Sequence, residues 1–234
     1  MIITFISDTH TKHRNITPDL PGGDMLIHAG DFMNAGYNPM EAIEFFHWFD
    51  NISNYDHKIF IAGNHDRWME DKPEEAKGIL TGYKTIDYLQ DDWMIVGDSD
   101  PHDPDVKTAK IFGSPWQPEF YDWAFNLPRQ GEDLREKWFW IPNDTDILIT
   151  HGPAFGHCDE APYGGHVGCE LLRERIDEFK PKIHVFGHIH AGYGYKFHNG
   201  THFFNASVLG ERYNYDNKPM TVDWNPITNE LEFI

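Results

Sequence analysis

Five short apolar runs in this chain each lead to a residue able to bind a metal ion. "IITFIS" runs into Asp8, "DMLIHAG" into Asp31, "HKIFIAG" into Asn64, "DILIT" into His151 and "KIHVFG" into His188. Each run has the length and apolar content of a strand. Helical stretches lie between them, and strands alternating with helices predict a layered α/β fold. In such folds the side chains beyond strand C-termini form the usual active-site edge. The recurrence constrains the fold more than any other feature of the sequence.

The helices have their own signals. "NPMEAIEFFHWFD" offers Asn38 as an N-cap, Pro39 at the first helical position and Glu41 in place for a capping box. Its Met40, Ile43, Phe46 and Phe49 are expected on one buried face. "EDLREKWFW" and "VGCELLRERIDEF" read as two further amphipathic helices, the second ending before Pro181. Eight Trp and seventeen Phe argue against disorder. No linker, low-complexity segment or charge block marks a boundary, so residues 1–234 are expected to form one domain.

Net charge disfavours one class of partner. With 38 acidic against 19 basic side chains the chain carries −19, and a long nucleic acid would be repelled. A small phosphorylated substrate remains open, because bound divalent cations can dominate a local field. Cys158 and Cys169 form no C-x-x-C pair, which argues against a disulfide framework and for a reducing compartment. The N-terminus reaches Asp8 and His10 with no room for a signal peptide, and no apolar run has membrane-spanning length. The expectation is a cytoplasmic protein without a membrane partner.

Collected in order, the polar pieces are "DTH" (Asp8, His10), "GD" (Asp31), "GNHD" (Asn64, His65, Asp66), "THG" (His151) and "GHIH" (His188, His190). Carboxylate, imidazole and amide oxygen together suit Mn, Fe, Zn or Ni. Thiolates are absent from the set, which argues against a closed structural zinc site. The donors exceed what one ion needs, and two divalent ions sharing a carboxylate would use them all. Singly each piece is weak, since a D-x-H tripeptide occurs by chance. Five pieces, all at strand ends, are not.

This series, D-x-H, G-D, G-N-H-D, T-H-G and G-H-x-H, resembles the calcineurin-like metallophosphoesterase superfamily over essentially the whole chain. The stretches "GSPWQPEFYDWAFNLPRQ", "DILITHGP" and "KPKIHVFGHIHAGYG" are similar to its subgroup of vertebrate brain metallophosphoesterase-domain-containing proteins and class III cyclic-nucleotide phosphodiesterase-like enzymes. In some of those vertebrate members the position matching His188 is glycine, and the histidine here implies a complete second metal site. The resemblance implies a four-layer α/β/β/α sandwich with a dinuclear site at the strand C-terminal edge. It implies that Asp8, His10, Asp31 and His190 hold one ion, and that Asp31 bridges to a second held by Asn64, His151 and His188. His65 is then expected to face substrate rather than a metal, with Asp66 orienting it through a hydrogen bond. Asn64, His65 and Arg67 are the expected substrate contacts.

The chemistry fits those residue types. Two metals about 3.5–4 Å apart can clamp attacking and leaving oxygens and lower a water's pKa to roughly 7. An imidazolium can then protonate the leaving alkoxide, which is the role expected of His65. The expected reaction is hydrolysis of a small phosphodiester such as a cyclic nucleotide by metal-activated hydroxide, with Mn first among the metals. A phosphomonoesterase, a nuclease or a nucleotide-binding regulatory module with weak turnover are the alternatives.

Several residues keep two readings. Arg67 either meets a phosphate oxygen or makes a surface ion pair. His157 and His166 lie in the loop after His151 and are expected at the surface, with substrate contact as the alternative. His28 and His184 sit inside strands, as core residues or as supports behind the ligands. Trp116 or Phe120 either wall a pocket and stack on a nucleobase or pack in the core. "GDSDPHDPD" reads as a solvated loop, and "NAS" at 205–207 as a glycosylation pattern with no secretory context to use it.

Overall fold

The computed structural model describes residues 1–97 and 107–234. One mixed sheet contains β1 (Ile2–Ile6), β2 (Gly23–His28), β3 (Tyr55–Phe60), β4 (Ile86–Tyr88), β13 (Met220–Trp224) and β14 (Leu231–Phe233), in the order β14-β13-β1-β2-β3-β4. A second contains β5 (Asp92–Gly97), β6 (Thr108–Ser114), β9 (Ile147–Thr150), β10 (Ile183–Phe186), β11 (Gly194–His198) and β12 (Thr201–Asn205), in the order β11-β12-β10-β9-β6-β5. A short parallel pair, β7 (Gln117–Pro118) and β8 (Asn126–Leu127), stands apart. Residues 98–106, which hold most of "GDSDPHDPD", lie outside the described residues.

The central strands β1, β2 and β3 run parallel, as do β6, β9, β10 and β12. Both faces of these strands are covered, which explains why they read as unbroken apolar runs rather than alternating ones. The period of two sorts their side chains between cores. Ile3, Phe5, Ile27 and Ile59 point inward against Ile147, Ile149 and Val185 of the other sheet. Leu26 and Phe60 point outward beneath α1 (Pro39–Asp50). Leu148, Phe186 and Phe203 point outward from the second sheet against α4 (Glu132–Phe139) and α5 (Glu170–Phe179). With α2 (Arg67–Asp71) and α3 (Pro73–Leu80) on the first sheet's outer side, the architecture is the four-layer α/β/β/α sandwich.

α1 begins as its sequence predicts, the Asn38 side chain accepting from the Met40 N–H at 3.1 Å. Of its expected face Phe46 and Phe49 are buried, together with Ala42, Phe45 and Trp48, whereas Met40 is exposed and Ile43 only partly buried. Phe45 stacks on Phe32 at 4.4 Å, so the aromatic contact sets the helix rotation. Glu41 closes no capping box, because its Oε2 reaches back to the Asn34 N–H at 2.9 Å and ties down the loop ahead of the helix.

Candidate metal centre

The five polar residues leave their strands through tight turns, and the backbone there is unusual. Asp8, Asp31 and His188 are non-glycine residues in the left-handed region, with φ of 54°, 59° and 67°. Such conformations cost about 1–3 kcal/mol each and persist only where surrounding contacts hold them. Close approach accounts for the adjacent glycines: a Cβ on Gly187 would strike the Asp8 carboxylate, and one on Gly63 would strike that of Asp31.

These turns bring the expected donors together. Ligand atoms of Asp8, His10 and His190 lie within 4.8 Å of one another, as do those of Asp8, Asp31 and His151. Asp31 Oδ2 is 3.7 Å from His10 Nε2 and 3.3 Å from His151 Nε2, so one carboxylate faces both halves of the cluster. Asn64 Oδ1 sits 2.9 Å from His151 Nε2 and 2.7 Å from His188 Nδ1.

The orientation of the rings tests whether cations fit. Backbone carbonyls of Met33, Ala29 and Gly210 accept from Nδ1 of His10, His151 and His190 at 3.0, 2.9 and 3.1 Å. Those bonds fix the tautomer and turn each Nε2 lone pair toward the carboxylates and the Asn64 oxygen. His10 Nε2 is buried with no hydrogen-bond partner. Lone pairs facing carboxylate and amide oxygens inside a protein repel unless a cation or a proton lies between them, and the donor set fits divalent metal ions.

Charge in the cluster is correspondingly uneven. Burial works to raise Asp8 and Asp31, but the neighbouring histidines hold both carboxyls below their usual range. Burial would lower the His151 and His190 rings, yet Asp31 and Asp8 respectively outweigh it and lift each to about 9. Burial prevails at His10 and His188, which fall to about 4 and about 3. At neutral pH, cation loading must therefore displace a proton from His151 and another from His190. Apparent metal affinity is expected to rise with pH until those rings deprotonate near 9. Calorimetric titrations in buffers of different ionisation enthalpy measure that release, and an affinity flat from about pH 6 to about pH 9 contradicts it.

His65 stands beside the cluster on the groove wall. Its backbone N–H donates to Asp31 Oδ1 at 2.7 Å, its Nδ1 meets the Asn34 carbonyl at 2.5 Å, and its ring stacks on Trp123 at 4.0 Å. Its Nε2 has no protein partner among the described residues. The expected role of Asp66 as its orienting partner is not what the structure contains. The buried Asp66 carboxylate accepts from the N–H groups of Asp31, Met33 and Gly63 at 2.9, 2.8 and 2.7 Å and makes no bond to the His65 ring. Asp66 fastens the Asp31 turn to the Asn64 turn, and the Asn34 carbonyl with Trp123 sets the His65 ring. Arg67 also departs from the substrate: its guanidinium bonds the Asp122 carbonyl at 2.5 Å and the Asp122 carboxylate at 3.5 Å, and it is no part of the groove lining.

Other residues resolve as follows. His28 and His184 are buried supports, bonded to Thr9 Oγ1 at 2.9 Å and Thr150 Oγ1 at 2.8 Å. His157 is not at the surface: it is buried against Phe203 with ring centroids 3.8 Å apart. His166 is half-exposed and bonds the buried Asp159 carboxylate at 2.6 Å. Trp116 is anchored to Asp91 at 2.9 Å and packs on the core, whereas Phe120 lines the groove edge-on to His188 at 6.0 Å.

Sequence reasoning missed a group of supports at the C-terminal end of β12. Ser207 Oγ donates to Asp8 Oδ2 at 2.8 Å, and Asn205 Nδ2 donates to the Ile189 carbonyl, between His188 and His190, at 2.8 Å. The "NAS" tripeptide is therefore buried structure behind the centre, and Asn205 is inaccessible to a glycan. Its signal was present as the end of one more apolar run, "THFFN", that stops at polar residues. Tyr213, edge-on to His10 at 4.8 Å and His190 at 5.2 Å, had no such signal.

Known proteins share this arrangement of sequence and fold. The chain is 40% identical over 233 residues to Metallophosphoesterase domain-containing protein 1 of Homo sapiens, an alignment covering 93% of this chain and 69% of that protein. TT1561 of Thermus thermophilus superposes with a TM-score of 0.64 at 13% identity, covering 100% of this chain and 97% of that one. Phosphopantetheinyl Hydrolase (PptH) from Mycobacterium tuberculosis superposes at 0.58 with 14% identity, covering 99% and 95%, and at such identities the two structures share the fold alone. Residues 1–192 match the model of the calcineurin-like phosphoesterases, and the chain belongs to that family.

Proposed function

We propose that this metal-dependent phosphoesterase is a phosphodiesterase acting on a small diester, with cyclic nucleotides among the candidate substrates. The observation that carries the reading is the fate of the arginines. A phosphate monoester is largely dianionic at neutral pH and is best matched by added cationic side chains, whereas a diester carries one charge. Arg67 is spent on Asp122 and Arg129 on Glu170 and the Gly168 carbonyl, so no free guanidinium lines the groove among the described residues. Nuclease action on long polymers is disfavoured by the net charge of −19.

In this reading Asp8, His10, Asp31 and His190 hold one divalent ion, and Asp31, Asn64, His151 and His188 the other, with Mn the first candidate. When bound, the pair supplies charge stabilisation for the phosphoryl oxygens and activation of the attacking water. Asp31 spans the two halves, with Asp66 fixing its turn through the backbone. Asn64 lies at the groove floor beside His65, and His65 Nε2 delivers a proton to the departing alkoxide while Asn34 holds the opposite nitrogen. No helix among the described residues is long and apolar enough to cross a membrane. Cys158 and Cys169 are free, which supports a reducing, cytoplasmic setting for the enzyme.

Metal-stripped protein reloaded in turn with Mn, Fe, Zn and Ni tests the assignment. Bis-p-nitrophenyl phosphate is expected to exceed p-nitrophenyl phosphate in kcat/KM by at least about tenfold, a difference of about 1.4 kcal/mol in barrier. The reverse order would establish a monoesterase, and activity only without metal would overturn the mechanism.

A further inference from the structure

The groove that holds Asp31, Asn64, His188 and His190 of the metal centre has a volume of about 430 Å³, within the size range of ~300–1,000 Å³ that houses organic ligands. Much of its lining is apolar, contributed by Pro118, Phe120, Pro153, Pro162, Val167 and Ile189. Phe120 and Val167 are 50% and 37% exposed, and Tyr121 packs edge-on against Phe120 at 4.6 Å. Apolar surface concentrated in a concave site is where an organic group gains most from leaving water.

The polar residues of the groove narrow the ligand further. Arg129 is its one Lys or Arg among the described residues, and it donates to the Gly168 carbonyl at 2.8 Å and to Glu170 at 2.7 Å. Glu119 and Glu211 are the carboxylates on the lining outside the metal centre. A second phosphate would therefore find two negative side chains and no free cation. A nucleobase needs donors and acceptors along its edge, yet the Gln117 amide nitrogen is engaged by Asn126, whose Oδ1 accepts from Gln117 Nε2 at 3.3 Å, which leaves the buried Gln117 Oε1 as the amide's one unpartnered acceptor. Asn126 is itself fixed by donating to the Phe120 and Tyr121 carbonyls at 3.2 and 3.0 Å.

We propose that the groove selects a phosphoester with a single phosphate and an apolar alkyl or aryl group, the phosphate at the metal centre and the organic group along the wall of Phe120, Pro162 and Val167. This rests on the phosphodiesterase reading for the placement of the phosphate and narrows its candidate diesters away from the cyclic nucleotides, but it is tested without turnover. Octylphosphonate and methylphosphonate have no scissile ester, and their binding to metal-loaded protein by calorimetry reads the wall alone. A methylene buried in such a trough strengthens binding by ~4-fold, so the octyl compound is expected to bind at least about 30-fold more tightly. Val167→Asp and Phe120→Ser alter partly exposed positions and are expected to reduce that ratio to a few-fold. Equal affinity for the two phosphonates, an unchanged ratio in both variants, or tighter binding of AMP or methylenediphosphonate than of octylphosphonate would each overturn the proposal. Failure of the diester assay with the octyl preference intact would instead remove only the phosphodiesterase reading.

Discussion

Replacing His65 by alanine is expected to leave both divalent ions in place and to cost about 10²–10⁴-fold in turnover of a diester with an alkyl leaving group. The ring is no part of the donor cluster: its Nδ1 is taken by the Asn34 carbonyl, its face by Trp123, and its Nε2 is left open on the groove. A general acid acts on the leaving group, so the loss must depend on what leaves. An alkoxide cannot depart without a proton, whereas p-nitrophenolate hardly needs one. The same substitution is therefore expected to cost far less on bis-p-nitrophenyl phosphate. Parallel rate measurements on the two substrates, with metal content determined for each sample, check both halves. Equal losses would assign His65 to binding the phosphoryl oxygens instead.

Asp66→Ala is expected to act on stability first. Its carboxylate is the shared acceptor for the buried N–H groups of Asp31, Met33 and Gly63, and each donor left without a partner costs about 1–3 kcal/mol. Burial and the nearby Asp31 carboxylate already push the Asp66 carboxyl upward, which offsets part of the gain from those bonds. A net loss of about 3–5 kcal/mol follows, large for a single substitution. Urea unfolding of the metal-free variant measures it. Asp66→Asn keeps one side-chain acceptor oxygen and is expected to recover part of the loss. Wild-type stability in Asp66→Ala, with slower turnover of alkyl esters alone, would restore the role of partner to His65.

Both expectations depend on what could be read along the chain and what could not. The strand runs before Asp8, Asp31, Asn64, His151 and His188 were legible because two-sided burial writes itself as continuous apolar sequence. The donors that follow them were legible because few other functions place Asp, Asn and His at strand ends so consistently. The rotation of α1 was not: Met40 and Ile43 satisfy a helical period as well as Ala42 and Phe45 do, and only the stacking of Phe45 on Phe32 chooses. Asp66 was misread for a related reason, since adjacency in "GNHD" says nothing of which distant N–H groups a buried carboxylate will find.

The sequence by itself determined the five strands that lead to the cluster, three of the helices, the residue types gathered there and the family, because these depend on periodicity and residue chemistry within short windows. Tertiary structure alone decided that Asp31 faces both halves of the cluster, that Asn34 and Trp123 orient His65, that Arg67 turns to Asp122, and that "NAS" supports the histidine turn. Each of those is a pairing between residues distant in the chain. Backbone carbonyls and N–H groups supply many of the partners, and every residue has them, so no residue letter marks which one will be used.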